Sequence, residues 1–176
     1  ELLNKGLENK RIVLIGNNRY EWCISYLAVT SGNMIIVPLD KALPDNEIEN
    51  LVTRSEAEIA IFDKKYLDVM KKLKNEKEVN LQMLICMDNI KDNEVNRFSD
   101  MLEKGEELIK NGDDRYDKIE INPKKMSIML FTSGTTNIPK AVMLSQKNIC
   151  ANLSDFASWV RLYPTDTLLS FLPIYV

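Results

Sequence analysis

Four short apolar runs constrain the fold of this chain more than any other feature: residues 11–16 (RIVLIG), 34–37 (MIIV), 57–62 (AEIAIF) and 81–87 (LQMLICM). Successive side chains of a strand point to opposite faces, so an unbroken apolar run needs cover on both sides. That is the requirement of a parallel sheet sandwiched between helices. The segments between the runs read as those helices. Residues 19–31 carry Trp22, Tyr26 and Val29 on one face, while Cys23, Ile24, Leu27 and Ala28 occupy most of the rest. A helix apolar nearly all round is expected to be buried on several sides, and Gly32 is placed to stop it. Pro44 opens a second helix, with Asp45 and Glu47 at its positive end, Arg54 at its negative end and Ile48, Leu51 and Val52 as its core stripe. A third spans residues 64–74, with Tyr66, Val69, Met70 and Leu73 inward and its lysines in water. The β–α rhythm through four strands defines an α/β, mostly parallel sheet with flanking helices.

From residue 88 to 123 the sequence turns polar. Met101, Leu102, Gly105, Leu108 and Ile109 keep helical spacing there, with Ser99 a fitting N-cap and Gly112 a stop. This segment reads as a surface helix within a connector, a structural role without chemistry. Later, Ser145 is expected to cap a helix running to Val160 with the stripe Ile149, Leu153, Phe156 and Val160, and residues 166–173 read as a last strand.

Composition excludes several functions. Lys and Arg total 23 against 26 Asp and Glu, which is no nucleic-acid footprint. No apolar run approaches membrane-spanning length. The chain has no histidine, which removes Ser-His-Asp and Cys-His catalysis and histidine-held metals from it. Cys23, Cys86 and Cys150 are far apart and read as small buried hydrophobes in a reducing, cytoplasmic setting. No G-x-G-x-x-G follows the first strand, so a Rossmann dinucleotide site is disfavoured.

The chemistry concentrates in Phe131-Thr132-Ser133-Gly134-Thr135-Thr136-Asn137-Ile138-Pro139-Lys140-Ala141-Val142. Five of the eight residues from Thr132 to Pro139 are Ser, Thr or Gly. Apolar runs precede and follow the stretch. Clustered hydroxyls, accessible backbone N–H groups and one cation suit a polyphosphate. The pattern differs from the nucleotide loop G-x-x-x-x-G-K-[ST]: Lys140 follows a proline, Ala141 stands where Ser or Thr would, and residues 141–144 read as a strand rather than a helix start.

The stretch resembles the signature phosphate loop of the adenylate-forming (AMP-binding) superfamily, whose members usually read Y/F-T-S-G-T-T-G-x-P-K-G/A-V. Asn137 departs from the usual glycine, mildly, since Asn tolerates the left-handed region. Gln146 stands where many members carry histidine. Asn18-Arg19-Tyr20-Glu21-Trp22 and residues 37–40 (VPLD) are also similar to family segments. Leu108-Ile109-Lys110-Asn111-Gly112 looks like the L-I-x-x-G that precedes the loop in fatty acyl-CoA synthetases, and the chain is most like a bacterial-type member of that group. Phe171-Leu172-Pro173 matches the family's L-P motif, and no role is carried onto Tyr175 beyond it.

What the resemblance implies is an N-terminal part of the large adenylate-forming domain. The chain as a whole, 1–176, reads as one such piece, with the remaining adenylation domain and the C-terminal domain elsewhere in a parent. Residues 1–9 look like the end of a helix already under way, and residues 168–176 stop without a polar exit. The implied parent joins a carboxylic acid, a fatty acid by the local motifs, to ATP and passes the acyl group to CoA. Thr132, Ser133, Gly134, Thr135, Thr136, Asn137 and Lys140 would bind the phosphates. Lys140 would meet the charge developing on pyrophosphate, and Thr132 would be the Mg²⁺ candidate. A P-loop NTPase and a non-catalytic α/β interaction module stand as the alternatives.

Overall fold

The structure is a computed structural model that describes residues 1–132 and 139–167. Its elements run in order β1 (Arg11–Ile15), α1 (Tyr20–Ser31), β2 (Ile35–Pro38), α2 (Asp45–Ser55), β3 (Ile59–Phe62), a 3₁₀ turn (Lys64–Tyr66), α3 (Leu67–Lys74), β4 (Met83–Cys86), β5 (Asn96–Arg97), α4 (Phe98–Lys110), β6 (Met126–Thr132), β7 (Lys140–Ser145) and α5 (Gln146–Trp159). They build one seven-stranded sheet in the order β5-β4-β3-β1-β2-β6-β7. Every pairing from β5 to β6 is parallel, and β7 alone among the described strands pairs antiparallel, on β6.

Alternation along β1 explains the layering. Val13 and Ile15 join a cluster with Ile48, Leu51 and Val52 of α2 and Val69, Met70 and Leu73 of α3. Ile12 and Leu14 point the other way, into a cluster with Trp22 and Val29 of α1 and Phe98 and Met101 of α4. All four β1 side chains have no exposed surface. The expected mostly parallel α/β sheet with helices on both faces is therefore the observed fold.

Several local expectations hold at their ends. Pro44 is the N-cap of α2, whose first turn carries Asp45 and Glu47 and whose last carries Arg54. Gly112 adopts φ 87° just past α4, which a residue with a Cβ reaches only with strain. Ser145 caps α5 with a reciprocal capping box to Asn148.

Other expectations are corrected. Residues 1–9 are turns rather than a helix, interrupted where Gly6 and Asn9 take positive φ. Ser99 is not the cap of α4. That position belongs to Arg97, and Ser99 lies inside the first turn. The polar connector also contributes more than a surface helix. Ile90 and Val95 enter one core cluster, and the two-residue strand β5 extends the sheet. Two residues carry too little pattern to be read as a strand.

α1 buries Trp22, Ser25 and Val29 but leaves Leu27 62% and Tyr20 70% exposed, because no described element covers that side of the helix. Along α5, Leu153 and Phe156 are more than half exposed. No described element covers that stripe. Of the cysteines only Cys86 is buried, with Cys23 intermediate and Cys150 exposed. The predicted strand over 166–173 is not a strand at Asp166 and Thr167, and its remainder lies outside the described residues. Among the described residues no helix is long and apolar enough to cross a membrane.

These burials give a paired prediction. Leu14→Ala, in the doubly covered strand, should cost about 2–5 kcal/mol in urea unfolding. Leu27→Ala, on the open face of α1, should change stability by under about 0.5 kcal/mol. A comparable loss at both positions would mean that α1 is covered on its outer side.

Candidate functional site

In open parallel sheets, ligands collect at the carboxyl ends of the strands. Two polar groups of residues sit at that edge here. The first lies after β1, β3 and β4. The chain leaves β1 for β2 on one side and returns to β3 on the other, so the β1/β3 junction is the topological switch point. It is filled by protein. Asp63, which follows β3, accepts from the Asn17 backbone N–H at 2.8 Å and from its side-chain amide at 2.9 Å. Arg19 reaches Asp63 at 3.2 Å and Asp88 at 2.7 Å, and clasps Glu21 through Nε at 2.7 Å and Nη2 at 3.0 Å. Asp88 also accepts from the Lys64 backbone N–H at 2.7 Å. A Cβ on Gly16 would stand 2.6 Å from the movable Met87 methyl and 3.0 Å from the Asp63 carboxyl carbon, so a larger residue here would press on the Asp63 carboxylate.

Electrostatics in this network follow from the single cation among three carboxylates. The Arg19 guanidinium is held above its ordinary value, first by its hydrogen bonds to Glu21 and then by those to Asp88. Hydrogen bonding from Arg19 keeps the Glu21 carboxyl below its usual range, against an opposing effect of burial. Burial would raise Asp88, but the Lys64 N–H and Arg19 together outweigh it and the net shift is downward. The local pattern of Asn18-Arg19-Tyr20-Glu21-Trp22 does not reveal this network, whose partners lie far along the chain. The available signal was a charge just past each of three strand ends.

The second group is the predicted site. β6 runs to Thr132 and β7 begins at Lys140, and the two residues are register partners, with Phe131 opposite Ala141. Directly paired residues share one face of a sheet, so a hydroxyl and an ammonium stand side by side at the strand ends. Both residues are exposed, and Lys140 has no ion-pair partner among the described residues. The other predicted residues, Ser133, Gly134, Thr135, Thr136 and Asn137, lie outside the described residues. A groove of about 470 Å³ adjoins the hairpin, bounded by Pro38, Leu39, Asp40, Glu47, Thr132 and Pro139.

Neighbouring elements fix the hairpin. Arg54 of α2 donates to the Pro139 carbonyl at 2.8 Å. Gln146, where a histidine is common in the family, donates to the Thr30 carbonyl at 2.6 Å and so ties the start of α5 to α1. Its role here is structural. Among the described residues no set of three or more Asp, Glu, Cys or His could hold a metal unaided. Thr132, Asp40 and Glu47 line one groove, a sparse oxygen set of the kind that fits Mg²⁺ when phosphate oxygens complete its sphere.

The sequence profile of the AMP-binding enzyme family matches residues 1–176. The chain belongs to the AMP-binding enzyme family. Long-chain-fatty-acid–CoA ligase 5 of Rattus norvegicus is 30% identical over 189 residues, covering 98% of this chain and 27% of the ligase. This AMP-binding chain thus spans about a quarter of the length of that relative. Its fold matches a long-chain-fatty-acid-CoA ligase (FadD1) from Archaeoglobus fulgidus with a TM-score of 0.70 at 19% identity, covering 89% of this chain and 29% of that one. It also matches the anthranilate CoA ligase AuaEII in complex with anthranoyl-AMP, with a TM-score of 0.74 at 16% identity, covering 90% and 29%.

The Arg19 network sets an expected pH response. Glu21 and Asp88 have depressed folded-state values, so their contribution is complete above the unfolded carboxylate range near about pH 4 and is lost as pH falls through those folded values. Arg19→Gln leaves three carboxylates without their cation. Stability at pH 7 should fall by about 1–2 kcal/mol, less than for a fully buried pair because the groups are partly in water, and the acid-unfolding midpoint should rise. Urea titrations from pH 3 to 8 test this, and an unmoved midpoint would show that the network does not govern acid stability.

Proposed function

We propose that this chain supplies the triphosphate-binding part of an acid–thiol ligase, an acyl-CoA synthetase. The parent would activate a carboxylic acid, a fatty acid by kinship, to an acyl-adenylate and transfer the acyl group to CoA. The observation that carries the reading is the antiparallel β6–β7 hairpin. It holds Thr132 and Lys140 as partners at the carboxyl edge of the sheet, at the two ends of the hydroxyl-rich stretch. The family match and the names of the relatives support the substrate class. On this reading residues 1–176 are the N-terminal part of a larger AMP-binding domain, the rest of which, with a C-terminal domain, lies elsewhere in the parent. Three cysteines free of disulfides support a reducing, cytoplasmic location.

Attack of the carboxylate on the α-phosphate builds negative charge on the departing pyrophosphate. Preorganised donors aimed at that charge lower the barrier without reorganising. Lys140 brings a full positive charge that no described carboxylate neutralises. Thr132, Ser133, Thr135 and Thr136 bring hydroxyl donors, and Gly134 and Asn137 bring backbone N–H groups. Thr132 would also hold Mg²⁺, which when bound spreads the phosphate charge. A P-loop NTPase is disfavoured because Lys140 opens a strand, not a helix, and is followed by Ala141. Family membership disfavours a non-catalytic interaction module.

Lys140→Ala in the parent enzyme should slow single-turnover adenylation at saturating Mg·ATP by roughly 10- to 1000-fold, with little change in fatty-acid binding. An unchanged rate would remove Lys140 from the mechanism. The chain alone should show no acid-dependent exchange of labelled pyrophosphate into ATP, since aligning the acid with the α-phosphate is a large part of the rate. Exchange near the parent's rate would show that residues 1–176 hold the whole site.

A further inference from the structure

We propose that Arg54 is a positioning residue for the phosphate loop, holding both stems of the β6–β7 hairpin against the C-terminal end of α2. The proposal rests on the reading of residues 132–140 as that loop. One side chain touches the residue immediately before each described site residue. The guanidinium carbon lies 5.7 Å from the centroid of the Phe131 ring, and Phe131 precedes Thr132. Nη2 donates to the Pro139 carbonyl at 2.8 Å, and Pro139 precedes Lys140.

The local chemistry explains why an arginine is used. Thr132 and Lys140 are the last described pair of the hairpin, and Pro139 has no N–H to offer to the ladder. Its carbonyl is taken by α2 instead. A planar guanidinium can cover a ring with its face while donating from its edge, and an ammonium cannot do both. Arg54 is exposed and forms no ion pair among the described residues, so no carboxylate draws it away. Its anchor is firm: Leu51 and Val52 of the same helix are buried in the cluster against which Phe131 packs. The position of Lys140 is thereby referred to the sheet core through α2, as well as through β6.

The test uses the full-length parent enzyme carrying Arg54→Ala, Arg54→Lys, Phe131→Leu, and Arg54→Ala combined with Phe131→Leu. Acid-dependent ATP–pyrophosphate exchange is measured against Mg·ATP and against fatty acid, and acyl transfer to CoA is measured from supplied acyl-adenylate. Arg54→Ala should lower kcat/KM for Mg·ATP by about 5- to 30-fold, mainly through KM. KM for fatty acid and the transfer step should stay within about two-fold. Lysine should restore only part of the loss, and Phe131→Leu should add little in the Arg54→Ala background. An unaffected kcat/KM for Mg·ATP, an equal loss in every step, or full rescue by lysine would each overturn the positioning role. A wild-type enzyme with no acid-dependent exchange would overturn the phosphate-loop reading itself, whereas an active wild type with an indifferent Arg54→Ala would overturn this role alone.

Discussion

Burial of β1 on both faces is the constraint from which the rest of the structure follows. A strand with no exposed side chain from Ile12 to Ile15 needs cover on both faces, which two helical layers provide here, and its backbone polar groups must be met by neighbours on either edge. β2 and β3 meet them in parallel, which obliges the chain to cross over through α1 and α2. With the interior of the sheet closed to charge, ionisable groups are confined to the strand ends.

At the carboxyl edge that confinement yields two different outcomes. At the switch point, Asn17, Arg19, Asp63 and Asp88 satisfy one another, and the crevice that commonly receives a ligand in such sheets is used for structure. One cation among carboxylates is costly to break and contributes little beyond neutrality when intact. Its role is to fix the strand ends. The ligand position proposed for this chain lies on the other side of β2, where β6 extends to Thr132 and β7 returns antiparallel from Lys140. Antiparallel return lets a single short loop carry both a hydroxyl and a lysine to one place, which a parallel crossover through a helix could not do.

Much of this was legible in the chain. Apolar runs at residues 12–15 and 59–62 can be satisfied in few ways, so strand positions and parallel pairing followed from the sequence pattern. Amphipathic spacing located α2 and α3 for the same reason. Ser145 caps its helix because Asn148 three residues on completes a reciprocal box, whereas Ser99 falls inside the first turn of α4. The phosphate chemistry proposed for the stretch from Thr132 to Lys140 rests on its residue types, of which the described structure places the two ends. Misread segments were those whose fate depends on distant partners. Leu27, Leu153 and Phe156 are apolar at helical spacing, yet periodicity cannot say whether another element lies over them. Ile90 and Val95 belong to the core despite polar neighbours, because β4 and α3 happen to lie beside them.

What the sequence by itself determined was therefore local and compositional: the layered α/β class, most helix and strand positions, and the chemical character of one loop. These depend on the solvation of side chains and on backbone preferences within a few residues. Tertiary structure decided what no local pattern encodes. It brought Arg19 to Asp63 and Asp88 across 44 and 69 positions, and Arg54 to Pro139 across 85. Such pairs are chosen by the strand order, which sets which chain ends become neighbours. An arginine at the end of a helix reads alike whether it faces water or braces a loop.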